Sequence, residues 1–585
     1  MALPPGFNNN SMLSSISSSI GSPSSRYSLT VTLLLIGCCI STVVARTAPS
    51  NDETLHAAPK QYAYYITAAG AAALLMVQQY LSSNDEDDES AYLPVNKDKT
   101  MTYREDRGKT ILAPLLPEKS KKNKDAVKTK KPLKKYTMKQ VAERNTREEL
   151  WVSIDGQVYD LTKFVDRHPG GPLVIENMAG KDCTDAFMNY HQARIYTTML
   201  PTYLIGEVIN VPVYPHVQDF RALRQDLLRQ GLYKTEWKFY AKLGLILGTL
   251  LVGALYLSLA CSSMTSHMIG ATLLGLFWQQ LAGLGHDLGH STVTRNFYSD
   301  HWLGSTLGCG LMGISTGWWK RSHNCHHVVC NSVEHDPDIQ LMPVVAVAKQ
   351  TFEKPFWSSY HSRWFQMDAL SRILVSNQHH IFFPLMMVAR FNLYAQSWIM
   401  IFSREYHMYN RKVEALALTF FASWVLAVAL TMNSWTESVL WVLLSHAVAG
   451  ILHVQIIISH WAMDTYHGHA YNDESDEWYV MQFKTTMDVD CPAWMDLIHI
   501  GLQFQVEHHL YPQVPRHNLR HVKTLVKEIC KKHDIEYNSM TFWEAVLKNT
   551  ANLKATAMEA RKGELSAEDT KANSVMNLLH ASVTA

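Results

Sequence analysis

The sequence predicts a multi-domain chain: a small α+β domain, then an all-α membrane domain with four transmembrane helices and a polar cap on one face of the bilayer. Three observations predict it. At 585 residues the chain is too long for one compact core. Its mean hydropathy of −0.10 averages over long apolar runs that alternate with long polar ones. Its 28 histidines, the commonest metal-ligand type, gather at helical spacing beside those runs. A net charge of +1 gives no basic surface for nucleic acid. The nine cysteines lack the C-x-x-C pairs of a zinc module or a disulfide scaffold.

Residues 1–135 form an N-terminal extension. Residues 1–27 have the composition of a disordered segment. Ser28–Ala45 is apolar and reads as a signal anchor or as a cleaved targeting segment. Tyr62–Leu81 is a second uncharged run, long enough for a bilayer core of about 30 Å. The acidic cluster Asp85 to Glu89 and the lysine-rich stretch Lys119 to Lys135 read as solvated linker, the basic one also suited to anionic lipid.

Residues 136–211 form the small mixed domain, with a strand-like stretch at 151–161 and turn signals at Pro169-Gly170-Gly171. Residues 238–530 form the membrane domain. Its four spans are Leu243–Ala260, Met268–Gly285, Ala415–Thr431 and Val439–Ile458. Ile381–Ile401 carries Arg390 at its middle; a charge is costly at mid-bilayer, so this stretch is expected to lie at the interface. Trp302–Gly313 is short and Gly-rich and is expected to be re-entrant or buried. Residues 531–585 are expected to be a polar tail.

Two loop histidines, His168 and His191, can hold a haem iron from both sides, which leaves no open position and favours electron transfer. The alternative is a surface loop with two unrelated histidines. In the membrane domain, His286 and His290 lie at i, i+4; His323, His326 and His327 at i, i+3, i+4; and Gln505, His508 and His509 repeat that geometry. Each set shares one helix face. Seven imidazoles plus a glutamine exceed what one metal needs and suit two, and imidazole fits iron, zinc or copper. With four spans and an interfacial Ile381–Ile401, all three sets emerge on one side of the membrane. His460 follows the fourth span at the same depth and is expected to be a further ligand, whereas His446 and His453 on the same stripe are expected to be polar residues inside the bundle. Asp287 is placed to accept a hydrogen bond behind a ligand. His335, His379, His380, His467 and His469 have no matching spacing and are expected on loops or the surface.

Residues 136–209 resemble a cytochrome b5 domain, through HPGG at 168–171, A-G-K-D-x-T-D-x-F at 179–187 and YLIGEV at 203–208. This implies haem b with His168 and His191 as axial ligands. The three histidine sets resemble those of the membrane fatty-acyl and sphingolipid desaturases, and Gln505 with a fused cytochrome b5 resembles the front-end branch. The resemblance covers residues 136–530. It implies two Fe ions held by His286, His290, His323, His326, His327, His508 and His509, with Gln505 in the place of a histidine and His460 added by its position in SHWAM. It implies O2 as co-substrate, a lipid substrate in the membrane, and electrons from cytochrome b5 reductase. The expected location is the endoplasmic reticulum with haem and histidine sets cytosolic, another endomembrane or a plastid remaining open. Residues 318–343 and 485–496 resemble Δ8 sphingolipid desaturases, which points to the Δ8 position of a sphingoid long-chain base in ceramide. A Δ5/Δ6-type acyl-lipid desaturase, a lipid hydroxylase and a non-catalytic haem carrier are the alternatives. Residues 1–135 have no counterpart in that family. The roughly 30 residues after Val211 reach about 90 Å when extended, so a flexible tether would let the haem domain dock, and fusion raises its effective concentration.

Overall fold

A computed structural model describes residues 132–209, 211, 213–352, 354–403, 408–472 and 474–562. The expected anchor, second apolar run and acidic cluster before residue 132 lie outside the described residues.

The small domain is built on a four-stranded sheet in the order β1-β4-β3-β2: β1 Lys134–Tyr136, β2 Trp151–Ile154, β3 Gln157–Asp160 and β4 Leu204–Val208. β1 runs parallel to β4, and the other pairs are antiparallel. The stretch read as one strand at 151–161 is a hairpin. Asp155 and Gly156 both take positive φ, 53° and 70°, which is the backbone a two-residue Asp-Gly turn needs to match strand twist. Two short helices carry the histidine loops: α1, Pro172–Glu176, follows His168, and α2, Thr184–Tyr190, ends one residue before His191.

The next segment departs from expectation. The residues after Val211 are not an extended tether but helix α3, Pro215–Arg229. Its Phe220 and Leu227 are fully buried in a cluster that also holds Leu150 and Ile154 of the small domain and Tyr511 and Val526 of the cap. Each such side chain contributes about 1.5–3 kcal/mol by leaving water, so one core runs through both domains.

Four helices are long and apolar enough to cross a membrane: α4 Trp237–Leu259, α5 Met264–Gly289, α9 Arg411–Ala429 and the continuous stretch Trp435–Trp461. The last divides at Gly450 into α10, Trp435–Ala449, and α11, Ile451–Trp461. All four expected spans are present. Leu245, Val252, Leu426, Val439 and Leu443 are exposed on these helices, as lipid-facing side chains are. At 1.5 Å per residue α5 is about 39 Å long, more than a bilayer core, so its C-terminal turn with His286 and His290 projects beyond it.

Between α5 and α9 the chain returns to the cap. Residues 304–312 form a mostly buried π-helix, in line with the expected buried segment, and α6, Thr316–Val329, follows. The Ser315 hydroxyl caps α6 and donates to the Glu414 carboxylate of α9 at 2.6 Å; the Gly317 N–H donates to the same group at 3.1 Å. This fixes α6 against the membrane bundle.

The run Ile381–Ile401 is two helices, α7 Gln378–Val388 and α8 Arg390–Phe402. Arg390 is not at a water interface. It is fully buried, donates to the Met312 carbonyl and the Tyr394 hydroxyl at 2.7 Å each, and lies 4.7 Å from the Trp278 ring centre. Nε and Nη2 of the guanidinium are thus bonded inside the protein while the buried Nη1 has no hydrogen-bond partner, and Phe383, Met387, Phe391 and Phe402 face outward.

The cap is completed by α12 Trp478–Thr485, α13 Gln505–Leu510, α14 Leu519–His533 and α15 Phe542–Lys562. The expected polar tail from residue 531 is corrected here. Residue 530 lies within α14. Ser539–Thr541 pairs in parallel with Asp488–Asp490, and α15 buries Val546, Leu553, Ala557 and Ala560. Thr541 and Glu544 start α15 with a reciprocal cap. Its apolar residues are spaced for one buried face, a pattern that its many Lys, Glu and Thr residues obscure.

Candidate metal centre

The three histidine sets arrive on different elements: His286 and His290 at the end of α5, His323, His326 and His327 on α6, His508 and His509 on α13. They converge. Ligand-capable atoms of His286, His290, His323 and His508 lie within 4.8 Å of one another, and so do those of His326, His460, His509 and Cys330. His327 sits between the two groups, its ring 4.4 Å from His323, 4.7 Å from His508 and 4.1 Å from His509. Convergence needs an even number of crossings between the sets, which the two spans between His327 and Gln505 supply and a single further crossing by the α7–α8 run would spoil.

Residues behind the rings set which nitrogen faces inward. The Asp336 carboxylate lies 3.0 Å from His326 Nδ1, and the Gln482 Oε1 lies 3.0 Å from His509 Nδ1. His460 Nδ1 faces the Thr485 carbonyl at 3.3 Å. A proton on each Nδ1 leaves Nε2 as the donor to a metal. Burial pulls His323, His327, His508 and His509 well below the ordinary histidine value, so these rings are neutral with free lone pairs. For His326 burial also pulls down, but Asp336 and Asp338 outweigh it and raise the ring to about 9.

The arrangement fits two metals on its own evidence. His286 Nε2 and His509 Nε2 are buried without a hydrogen-bond partner, and Nε2 atoms of His290, His323, His327 and His508 crowd at 2.9–3.0 Å. Unpaired buried donors or acceptors are costly, and a shared cation relieves both features. Cys330, which spacing did not single out, lies 3.4 Å from His460 Nδ1, the atom turned to Thr485. Burial raises its thiol well above the usual range. The second group is therefore three imidazoles with a neutral thiol behind one of them.

Gln505 opens α13, is buried, and hydrogen-bonds His460. His446 binds the Val442 carbonyl and the Tyr394 hydroxyl, and His453 binds the Met386 carbonyl; both lie inside the bundle, away from the clusters. Asp287 does not back a ligand: it pairs with Arg516 at 3.1 Å and accepts from the Tyr240 hydroxyl. Gly289 has a separate role. A Cβ there would meet Trp319 at 1.9 Å, so only glycine lets that indole press on His286, His290 and His323, with ring centres 5.5, 5.5 and 4.3 Å away.

His168 and His191 face each other with ring centres 5.9 Å apart. Metal–imidazole bonds of about 2 Å on both sides would leave centres roughly 6 Å apart. His168 Nδ1 contacts the Gly171 carbonyl at 2.9 Å and His191 Nδ1 the Phe187 carbonyl at 3.1 Å, which again leaves Nε2 inward. Burial pulls His191 to about 4, so it too is neutral.

The small domain is seated on the metal cap. Asp185 forks with Arg221 at 2.7 Å on both oxygens, and Asn177 accepts from His469 at 3.1 Å and donates to Cys325. Gln192 donates to the Arg295 carbonyl, Gln513 to that of Tyr190. The Tyr190 ring meets the His327 ring at 5.7 Å. His469, expected on a loop or the surface, is thus an interface residue, and it stacks on His335 at 3.8 Å.

Comparison with known proteins follows this division. Residues 264–541 match the family described as Fatty acid desaturase, and residues 137–209 match the Cytochrome b5-like Heme/Steroid binding domain. The Delta(8)-fatty-acid desaturase 2 of Arabidopsis thaliana is 38% identical over 73% of this chain and 94% of its own. The Acyl-lipid (9-3)-desaturase of Borago officinalis is 34% identical over 73% and 95%, and the Delta 8-(E)-sphingolipid desaturase of Kluyveromyces lactis is 38% identical over 55% and 56%. A solved cytochrome b5 of Ostreococcus tauri virus 2 is 40% identical over 13% of this chain and 95% of that one, with a TM-score of 0.12.

Proposed function

We propose, from the premise that this chain belongs to the fatty acid desaturase family, that it inserts a double bond at the Δ8 position of a sphingoid long-chain base in ceramide. In this reading His286, His290, His323, His326, His327, His508 and His509, with His460 and Gln505, surround two irons, and His168 and His191 hold the haem. The observation that carries it is the meeting of all three histidine sets in two adjacent clusters beneath a seated haem domain.

Taking hydrogen from an unactivated methylene needs an oxidant that side chains lack; two irons with O2 supply it when bound. The chain does the rest. Asp336, Gln482 and Thr485 aim the rings. His326, His327 and His509 are almost fully buried, which keeps water from the reacting centre. A cavity of about 660 Å³ opens beside His460, lined in part by Trp461, Thr485, Lys349, Lys484, Asp464 and Asp476. Its lining holds two lysines and two aspartates, so it offers no net formal charge to a phosphate and suits an uncharged head with hydroxyls and an amide. The cap and haem domain share one side of the membrane, which we read as the cytosolic side of the endoplasmic reticulum, where cytochrome b5 reductase supplies electrons.

Expression in a yeast host lacking Δ8-unsaturated bases tests the substrate. New unsaturation in the long-chain base is expected. Double bonds confined to acyl chains would sink the sphingolipid reading in favour of the acyl-lipid activity that the Borago officinalis relative is named for, and a hydroxylated product would redirect the chemistry.

A further inference from the structure

Among the contacts between the two domains, one aromatic side chain meets a histidine of the metal centre. We infer that the Tyr190 ring is the bridge through which an electron passes from the haem at His191 to the metal cluster at His327. The inference rests on the ligand roles proposed above for those two histidines. Tyr190 ends α2 and His191 follows it directly, so the backbone joins the haem-side imidazole to the Tyr190 side chain. On the far side the Tyr190 ring meets His327, which touches His323, His508 and His509.

The position is held from both sides in sequence. Asp185 forks with Arg221 and accepts from the Tyr479 hydroxyl at 3.3 Å. The Tyr190 carbonyl accepts from Gln513, and Gln192 donates to the Arg295 carbonyl at 2.9 Å. The other haem-side loop approaches α6 through Gly170, where a Cβ would meet the His168 ring first and Asn324 next, at 3.5 Å, so the α6 residue that it reaches offers no ring. The Tyr190 hydroxyl is buried without a hydrogen-bond partner, so the ring carries the inference and the O–H does not. In the step, the haem iron goes from ferrous to ferric and one cluster iron from ferric to ferrous. Tyr190 is neither oxidised nor reduced, and no bond or proton moves.

The test uses the full-length protein with haem and both irons loaded in the diferric state, without oxygen or lipid. Flash photoreduction of the haem is followed by its absorbance as it reoxidises. No substrate takes part, so an error in the lipid assignment leaves this result untouched. Tyr190→Phe is expected to keep the rate. Tyr190→Leu is expected to slow it by an order of magnitude or more with haem content, iron content and haem reduction potential unchanged, and Tyr190→Trp to restore it. Gln192→Ala, which loosens the seat and leaves the ring, is expected to stay close to the unsubstituted rate. The inference is overturned if the Leu variant transfers normally, if the Phe variant is as slow as Leu, or if Gln192→Ala is as slow as Leu.

Discussion

Asp336 decides how His326 presents itself. Its carboxylate holds the Nδ1 proton while also accepting from the Asn331 and Asp338 backbone N–H groups at 2.7 and 2.9 Å. Substitution by Asn keeps the shape and removes the charge that makes the ring basic. Asp336→Asn is expected to weaken iron binding about 10–100-fold, read as iron retained after dialysis against a chelator, with haem content unchanged. The histidine sets that come together are legible because each set is local: i, i+3 and i+4 place them on one face whatever the rest of the chain does. The residues that orient them are not. Gln482 reaches His509 across 27 positions and Tyr190 reaches His327 across more than a hundred, and no local spacing encodes such a meeting. Asp287 shows the converse. Sequence adjacency to His286 suggested a partner, but adjacent helical residues point to different faces, and Asp287 turns to Arg516.

At the level of elements, spans were the most legible because one solvent dictates twenty apolar residues in a row. Helices that face protein were harder. Arg390 argued for a water interface, and only the Met312 carbonyl, supplied from the buried π-helix, with Tyr394 one turn along its own helix, lets it stay inside. Helix α3 was read as a linker for the same reason: its buried face has no partner until the cap is folded. His216 in its first turn contacts Glu477, the N-cap of α12, at 3.0 Å. The hydrogen bond to that carboxylate raises the His216 value above 6.5 against a smaller effect of burial. A raised folded value means that the contact stabilises fully below about pH 6.5 and is lost as pH rises through the folded value. Protection of the α3 amides from hydrogen exchange, taken relative to the base-catalysed intrinsic rate at each pH, is therefore expected to fall as pH climbs above that point. His216→Gln should abolish this pH dependence; a dependence that persists would place the titrating group elsewhere.

Across the whole molecule, the haem domain, α3, the cap and the C-terminal helix behave as one packed body on a four-helix base. Helix α15 belongs to it. Leu553 shares a cluster with Trp461, and Asn552 donates to the Trp461 carbonyl at 3.2 Å, next to His460. A chain ending at Thr541 loses the burial of Val546 and Leu553, about 1.5–3 kcal/mol each. It is expected to unfold at lower temperature in detergent and to bind less iron, whereas a free tail would leave both unchanged. The seating of α3 carries a last consequence. A donor built into the core is a captive one: every acceptor site comes with its own reducing centre in one-to-one ratio, and that centre is not lent to other enzymes in the same membrane. Supply of electrons then scales with the copy number of this chain rather than with the cell's circulating pool of small haem carriers.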